Sequence, residues 1–180
     1  MYRSRHICAK ALISCVGVML GASQAQAFAF LAQNGGELLV SSFTPTRVDG
    51  FFDQFVFVLE GPFVFETVRL NFTVTLQDPD PDLFAATFAF SDPVGQAMTG
   101  TIDGVRFVDA AGDWSGSGAW VVTGGTGQYT SFTGGGSFTF AALPGDGAAF
   151  TSFEGDIVPQ PTAAVVLLMG GSIAAVRRRR

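Results

Sequence analysis

The amino-acid sequence predicts an all-β fold, in the form of a single antiparallel β-barrel or β-sandwich domain. Residues 67–76 alternate apolar and polar side chains, which is the period of a strand with one buried face. Similar apolar segments recur along the chain at a spacing of about 8–12 residues, with Gly, Pro and Asp between them. No segment between residues 28 and 157 combines a helical period with capping residues. Helices are therefore expected only at the two ends of the chain.

Residues 1–27 have the composition of a signal peptide. Three basic residues precede an apolar run over residues 11–22, and Ala25 and Ala27 form an A-x-A cleavage site. The run is shorter than the ~20 residues that a membrane-spanning helix needs. An alternative cut lies before Cys15, which ends a sequence similar to a lipoprotein lipobox. The sequence therefore predicts export, with the Sec machinery and signal peptidase as partners.

Residues 28–157 are expected to form one Phe- and Gly-rich extracytoplasmic domain. All nineteen Phe residues lie here, and at about 1.5–3 kcal/mol per buried side chain they suffice to build a core without disulfides or metal. Residues 51–59 are apolar at nearly every position, as expected for a strand that is covered on both faces. The other strands are expected at residues 37–43, 67–76, 84–90, 97–102, 105–108, 119–123, 137–143 and 148–153.

This central region is strongly acidic and lacks several reactive side chains. Between residues 28 and 160, three Arg stand against fifteen Asp and Glu (3 − 15 = −12), and there is no His, Cys or Lys. The charge excludes nucleic-acid binding by phosphate neutralisation. The missing residue types exclude Ser-His-Asp and Cys-His nucleophiles, zinc held by His or Cys, and Lys Schiff bases. A glycosidase would need two carboxylates flanking a cleft, and no motif singles out a pair. We therefore expect neither an enzyme nor a cofactor.

Three carboxylates two residues apart form the first candidate site. Asp78, Asp80 and Asp82 alternate with prolines, and this spacing matches the first half of a calcium-binding loop. Leu83 and Ala89 stand where such a loop needs Gly and a bidentate Glu. The prolines also favour an extended segment over a coil around an ion. We therefore favour a solvated acidic loop and no metal, with calcium as the alternative.

The second candidate site is aromatic. Residues 112–136 contain nine glycines together with Trp114, Trp120 and Tyr129. Aromatic faces stack on sugar rings, so an exposed cluster of these three side chains would suit a polysaccharide. The alternative is that they belong to the core, and we favour it for Trp120, which lies in the apolar run 119–122.

The Gly-rich region also carries a resemblance. Residues 125–129, Gly-Thr-Gly-Gln-Tyr, followed by residues 134–140, Gly-Gly-Gly-Ser-Phe-Thr-Phe, are similar to a hairpin of the dirigent and allene-oxide-cyclase type of β-barrel. The resemblance covers about sixteen residues and implies a barrel, whose interior is either filled or open to a small apolar ligand. It carries over no catalytic residue.

The C-terminal residues 158–180 have three parts with distinct physical roles. Prolines end any helix before the segment, an apolar stretch favours hydrocarbon, and a basic cluster stays on the cytoplasmic side of a membrane. A helix of fifteen residues covers only ~22 Å, so the expected transmembrane helix anchors the chain weakly. In order, the parts are the motif Val158, Pro159, Gln160 and Pro161, the apolar residues 162–176, and Arg177, Arg178, Arg179 and Arg180.

This tail resembles the PEP-CTERM sorting signal of Gram-negative bacteria, with Gln160 where Glu is commoner. The resemblance implies that an exosortase recognises and removes the tail, in bacteria that make exopolysaccharide and biofilm. It thus implies an inner-membrane-anchored precursor that then reaches the cell surface or the extracellular matrix, where exopolysaccharide is a candidate partner. The alternatives are a plain tail anchor and, for the domain, a module that binds carbohydrate or a small apolar ligand.

Overall fold

The period-two pattern of the sequence becomes eight antiparallel strands that close into a barrel. The computed structural model describes residues 26–160, in which each strand pairs with its neighbours along the chain and the last pairs with the first. A 3-10 turn, Gly127–Tyr129, precedes the seventh strand. The strands are β1 Phe28–Thr44, β2 Arg47–Glu60, β3 Thr67–Thr75, β4 Asp82–Ser91, β5 Ala97–Val108, β6 Trp114–Gly125, β7 Phe132–Leu143 and β8 Ala148–Pro159.

The all-β prediction is confirmed, and the domain is a barrel and not a sandwich. The helices expected in residues 1–27 and 162–176 lie outside the described residues. Within residues 26–160, no helix is long and apolar enough to cross a bilayer.

Some strands are longer than the sequence predicted. The segments 97–102 and 105–108 are one strand, because Asp103 and Gly104 pair with β6 and do not form a turn. β1 starts at Phe28 and not at residue 37, since Gly35 and Gly36 pair with β2 on one side and with β8 on the other.

The interior is built from Phe rings placed beside glycines. Gly50 is paired with Phe72 across β2 and β3, and a Cβ built on Gly50 would lie 2.7 Å from Cζ of that ring. Gly100 and Gly116 are covered in the same way, by Phe88 and Phe140. A barrel of eight strands leaves an interior only just wide enough for side chains. A large aromatic ring therefore fits only beside a residue that has no side chain. This pairing explains why the sequence is rich in both residue types.

The rings meet across the whole interior. Phe52 stacks on Phe72 with ring centroids 4.8 Å apart, and Phe84 stacks on Phe140 at the same distance. Phe84 also faces Phe138 at 6.0 Å across the paired glycines of β5 and β6. Aromatic pairs at these separations contribute about 0.5–1.5 kcal/mol beyond the area that they bury. The core thus fills the barrel.

The outer face of β2 departs from the prediction. Its inward residues Phe52 and Val56 are buried, but Phe55, Phe57 and Leu59 are 69%, 64% and 59% exposed. The expectation that residues 51–59 are covered on both faces is therefore wrong. A closed barrel buries one face of each strand, and no described element packs over the outside of β2.

Candidate functional site

The three aromatic residues predicted as a sugar platform lie apart. Trp120 and Tyr129 are each 1% exposed, so neither can stack on a polysaccharide. Trp120 packs in the core, where its Nε1 donates a hydrogen bond to the Glu154 carbonyl at 3.1 Å. Tyr129 packs against Phe65, with ring centroids 5.2 Å apart. The exposed aromatic cluster is therefore absent, because the strand period and the 3-10 turn direct these side chains inward.

Trp114 lies at the opposite end of the barrel and belongs to a different cluster. The Arg106 guanidinium stands over its ring, with Cζ 4.4 Å from the centroid. Arg106 also donates from Nε to Asp82 Oδ2 at 3.1 Å, and a second nitrogen of the guanidinium contacts the same oxygen. Arg106 is only 5% exposed. Asp82, which was expected in a solvated acidic loop, therefore belongs to a buried ion pair. No sequence pattern indicates this ion pair beyond the presence of one Arg in β5.

This ion pair decides the geometry of the acidic loop. Asp82 Oδ2 is taken by Arg106, and Oδ1 accepts a hydrogen bond from the backbone N–H of Gln77 at 2.8 Å. Asp78 and Asp80 are exposed. Among residues 26–160, no three His, Cys, Asp or Glu side chains form a group that could hold a metal ion. The structure thus does not assemble the three aspartates into a calcium site.

A shallow groove of about 650 Å³ crosses the outer face of β2, β3, β4 and β5. The strand register sets its floor in two adjacent rows. One row consists of Asp49, Thr73, Ala85 and Asp103, and the other of Phe51, Asn71, Thr87 and Thr101. The small side chains of β4 make the floor concave. We call this surface the β2–β5 groove.

One corner of the β2–β5 groove holds a hydrogen-bonded ion pair. Arg47 Nε donates to Asp49 Oδ1 at 2.8 Å, and Thr73 Oγ1 donates to the same oxygen at 2.7 Å. The hydrogen bond from Arg47 is the main reason that the pKa of Asp49 lies below its ordinary value. The groove therefore offers carboxylate, amide and hydroxyl groups beside the Phe51 ring.

The barrel interior holds one polar chain that the sequence did not indicate. Asn34 Nδ2 donates to Thr151 Oγ1 at 3.0 Å, which in turn donates to Gln54 Oε1 at 2.7 Å. Gln54 Nε2 donates to the Ala149 carbonyl at 2.9 Å. Asn34 Oδ1 is buried without a hydrogen-bond partner among the described residues. These bonds link β1, β2 and β8, the strands at which the barrel closes.

The predicted sorting motif is partly built into the barrel. Val158 and Pro159 are the last residues of β8, and Pro159 is paired with Phe132 of β7. Gln160 donates from its backbone N–H to the Ser131 carbonyl at 2.6 Å, and from Nε2 to Thr133 Oγ1 at 3.2 Å. Sequence reasoning missed this docking, because a Pro-x-Pro motif does not indicate a strand partner.

The remaining sorting residues lie at or beyond the limits of the described chain. Ala27 is exposed and directly precedes β1. Outside the described residues are Ala25, Pro161, Arg177, Arg178, Arg179 and Arg180. Because Phe28 is paired with Ile157, the two predicted processing sites adjoin neighbouring strands at one end of the barrel.

Comparisons of the chain with protein-family models, with curated proteins and with solved structures give no match.

Proposed function

We propose that this protein is an exported β-barrel of a Gram-negative bacterium, sorted through its C-terminal tail and displayed at the cell surface or released into the exopolysaccharide matrix. The observation that carries this proposal is the position of the two processing sites. Ala27 precedes the first strand and Gln160 follows the last, so removal of both end segments leaves every strand of the barrel intact.

The filled interior supports a structural role. Stacked rings such as Phe52, Phe72 and Phe84 occupy the space between the strands, so a small apolar ligand has no room at the centre of the described barrel. A displayed matrix component needs no catalytic group, only a stable fold, which the stacked aromatic core favours.

Intact mass spectrometry of the surface-associated protein tests the sorting step. We expect a mature chain that begins at Phe28 and ends close to Gln160. A mature form that keeps residues 162–180 would show a plain tail anchor and contradict the sorting proposal.

Two sets of variants separate retention in the membrane from recognition by an exosortase. Replacing residues 177–180 by Ser removes the positive charge that resists translocation, so the tail should slip through or misorient. Replacing Pro159 and Pro161 by Ala should leave the anchor but block processing, because it removes the motif that the exosortase is expected to recognise. Pro144→Ala, in the turn between β7 and β8, is the control and should be processed normally. Equal processing of all variants would contradict the assigned roles.

A second candidate function is recognition of a neutral or cationic glycan at the β2–β5 groove. Its hydroxyl, amide and carboxylate groups form a surface on which a sugar can hydrogen-bond, whereas the Phe51 ring is covered by the Arg69 guanidinium, with Cζ 5.0 Å from the centroid. The charge of −12 repels anionic polymers unless divalent ions bridge them.

Binding to the host's own exopolysaccharide tests this second candidate. The double variant Asn71→Ala and Thr87→Ala should weaken binding, whereas Ser137→Ala and Thr139→Ala, on β7 at the other side of the barrel, should not. Retention on an anionic polysaccharide that survives both EDTA and high salt would contradict the electrostatic argument.

A further inference from the structure

One end of the barrel presents an apolar surface around an open cavity of about 500 Å³. Its walls come from the start of β1, the β2–β3 and β4–β5 loops, and the turn before β7. Val64 and Val94 are 67% and 76% exposed at its rim. We call this surface the apolar end; it consists of Phe28, Pro62, Phe63, Val64, Val94 and Phe132.

Carboxylates are fewer at the apolar end than at the opposite end. The loops at the apolar end carry the exposed Glu66 and the buried Asp92, and the exposed Glu60 ends β2 beside them. Asp92 is 7% exposed, and its Oδ1 accepts hydrogen bonds from the backbone N–H groups of Val94 and Gln96. The loops at the opposite end carry five, namely Asp78, Asp80, Asp109, Asp113 and Asp146. The apolar end therefore favours an apolar environment, whereas the opposite end favours water.

Both apolar segments of the sequence join the barrel at the apolar end. β1 starts there and β8 ends there, because the antiparallel order brings both chain ends to the same side. Only Pro161 separates Gln160 from the apolar residues 162–176. An extended residue spans at most about 3.6 Å, so a bilayer that is entered at residue 162 lies within about 10 Å of Gln160.

We propose that the apolar end docks on the lipid bilayer that holds the precursor, with Val64 and Val94 in the boundary between headgroups and acyl chains. This inference rests on the proposed function, since the tail must enter a membrane. The tether makes docking intramolecular, so a small apolar surface suffices. In this orientation the five carboxylates of the far-end loops lie away from the lipid. The barrel of the precursor thus stands upright, with its acidic loops directed away from the membrane.

Fluorescence quenching by brominated lipid tests the orientation. The full chain is reconstituted in phosphatidylcholine vesicles with brominated acyl chains, and flotation verifies that it is bound. Val64→Trp places a reporter at the apolar end, and Val108→Trp is its matched control near the acidic loops; both sites are exposed, so neither change enters the core. The unsubstituted chain supplies the background of Trp114 and Trp120. We expect brominated lipid to quench the reporter at position 64 and not the one at position 108.

A charge introduced at the rim provides the second test. Adding Val94→Asp to the Val64→Trp chain should abolish most of the quenching, whereas adding Val108→Asp should leave it unchanged. Folding is verified for each variant by circular dichroism.

The other outcomes each overturn the proposal. A chain that floats with the vesicles while its reporter at position 64 is not quenched is anchored but not docked, which leaves the sorting proposal intact. A reporter that is shielded from aqueous iodide but not quenched by the lipid is covered by the chain's own tail or by a second copy. A chain that does not float at all contradicts the membrane anchor of the proposed function as well.

Discussion

At the scale of single residues, Phe72 shows how the core depends on ring contacts. Its side chain is 3% exposed and packs against both Phe52 and Phe84, with ring centroids 4.8 and 5.9 Å apart. Phe72→Ala should lower the free energy of unfolding by about 3–5 kcal/mol, since it removes buried area and leaves a cavity. Phe107→Ala, at a site that is 50% exposed, is the control and should cost much less. If urea denaturation gave the same loss of unfolding free energy for both variants, the packing described for Phe72 would be contradicted.

Tyr129 makes the stability sensitive to alkaline pH. Burial raises the pKa of its hydroxyl above the ordinary value of 10.0. The unfolded state therefore loses this proton first, so the stabilisation is complete below pH 10 and is lost as the pH rises through the folded-state pKa. The free energy of unfolding of the natural chain, measured across this range, should therefore fall as the pH rises. Tyr129→Phe should flatten that fall, and an unchanged slope would contradict the assignment.

The buried and the exposed Arg–Asp pairs should differ in their effect on stability. Arg106→Met leaves Asp82 without its ion partner at a site where the carboxylate is 15% exposed, and should cost about 3–5 kcal/mol. Arg69→Met breaks the pair with Asp53, where the side chains are 55% and 40% exposed, and should cost at most about 1 kcal/mol. Thermal unfolding of the two variants provides the comparison. A similar cost for both would mean that burial does not strengthen the first pair.

At the scale of strands, the Phe–Gly pairs set the spacing between neighbours. Gly50→Ala would place a methyl group against Phe72 and the carbonyl of Leu39, and should cost about 1–3 kcal/mol by overpacking. Gly124→Ala is the matched control, because a Cβ there meets only the Thr99 hydroxyl at 3.7 Å. It should be neutral or slightly stabilising. Both variants are measured by urea denaturation. A larger loss of stability for Gly124→Ala than for Gly50→Ala would contradict this account of the Phe–Gly pairs.

How far each strand could be predicted depends on its local pattern. β3 was predicted within one residue, because its alternation matches one buried face throughout. The start of β1 was not predicted, because two consecutive glycines, Gly35 and Gly36, are typical of a turn. Only their pairing with β2 and β8 shows that they belong to a strand. The exposed outer face of β2 could not be foreseen, because an apolar run does not tell whether anything covers it.

The candidate sites were harder to predict than the strands. Trp120 was expected in the core from its apolar run, and it lies there, but the direction of Trp114 and Tyr129 depends on barrel closure, which no local pattern encodes. The β2–β5 groove brings together residues from four strands, so only the register reveals it. The Pro-x-Pro motif was recognisable as a motif, but its pairing with Phe132 needed the fold.

At the scale of the whole molecule, the charge of −12 opposes compactness. Screening should therefore stabilise the domain of residues 28–160: raising the salt concentration from 0.01 to 0.15 M shortens the Debye length from about 30 to about 8 Å. We expect the midpoint of thermal unfolding to rise over this range. The double variant Asp78→Asn and Asp80→Asn should show a smaller rise. A midpoint that falls with salt would mean that the Arg–Asp pairs outweigh the repulsion.

The pairing of β1 with β8 also dictates when folding can finish. Phe28 and Ile157 are partners, although almost the whole described chain lies between them. A polypeptide that crosses a membrane N-terminus first delivers β1 at the beginning and β8 at the end. If the chain is exported as proposed, one edge of β1 keeps its backbone N–H and C=O groups unpaired throughout translocation, which makes it a template for aggregation. The last strand that removes this hazard arrives immediately before the tail. The proposed anchor of residues 162–180 would then give the chain time to close before it diffuses among its neighbours.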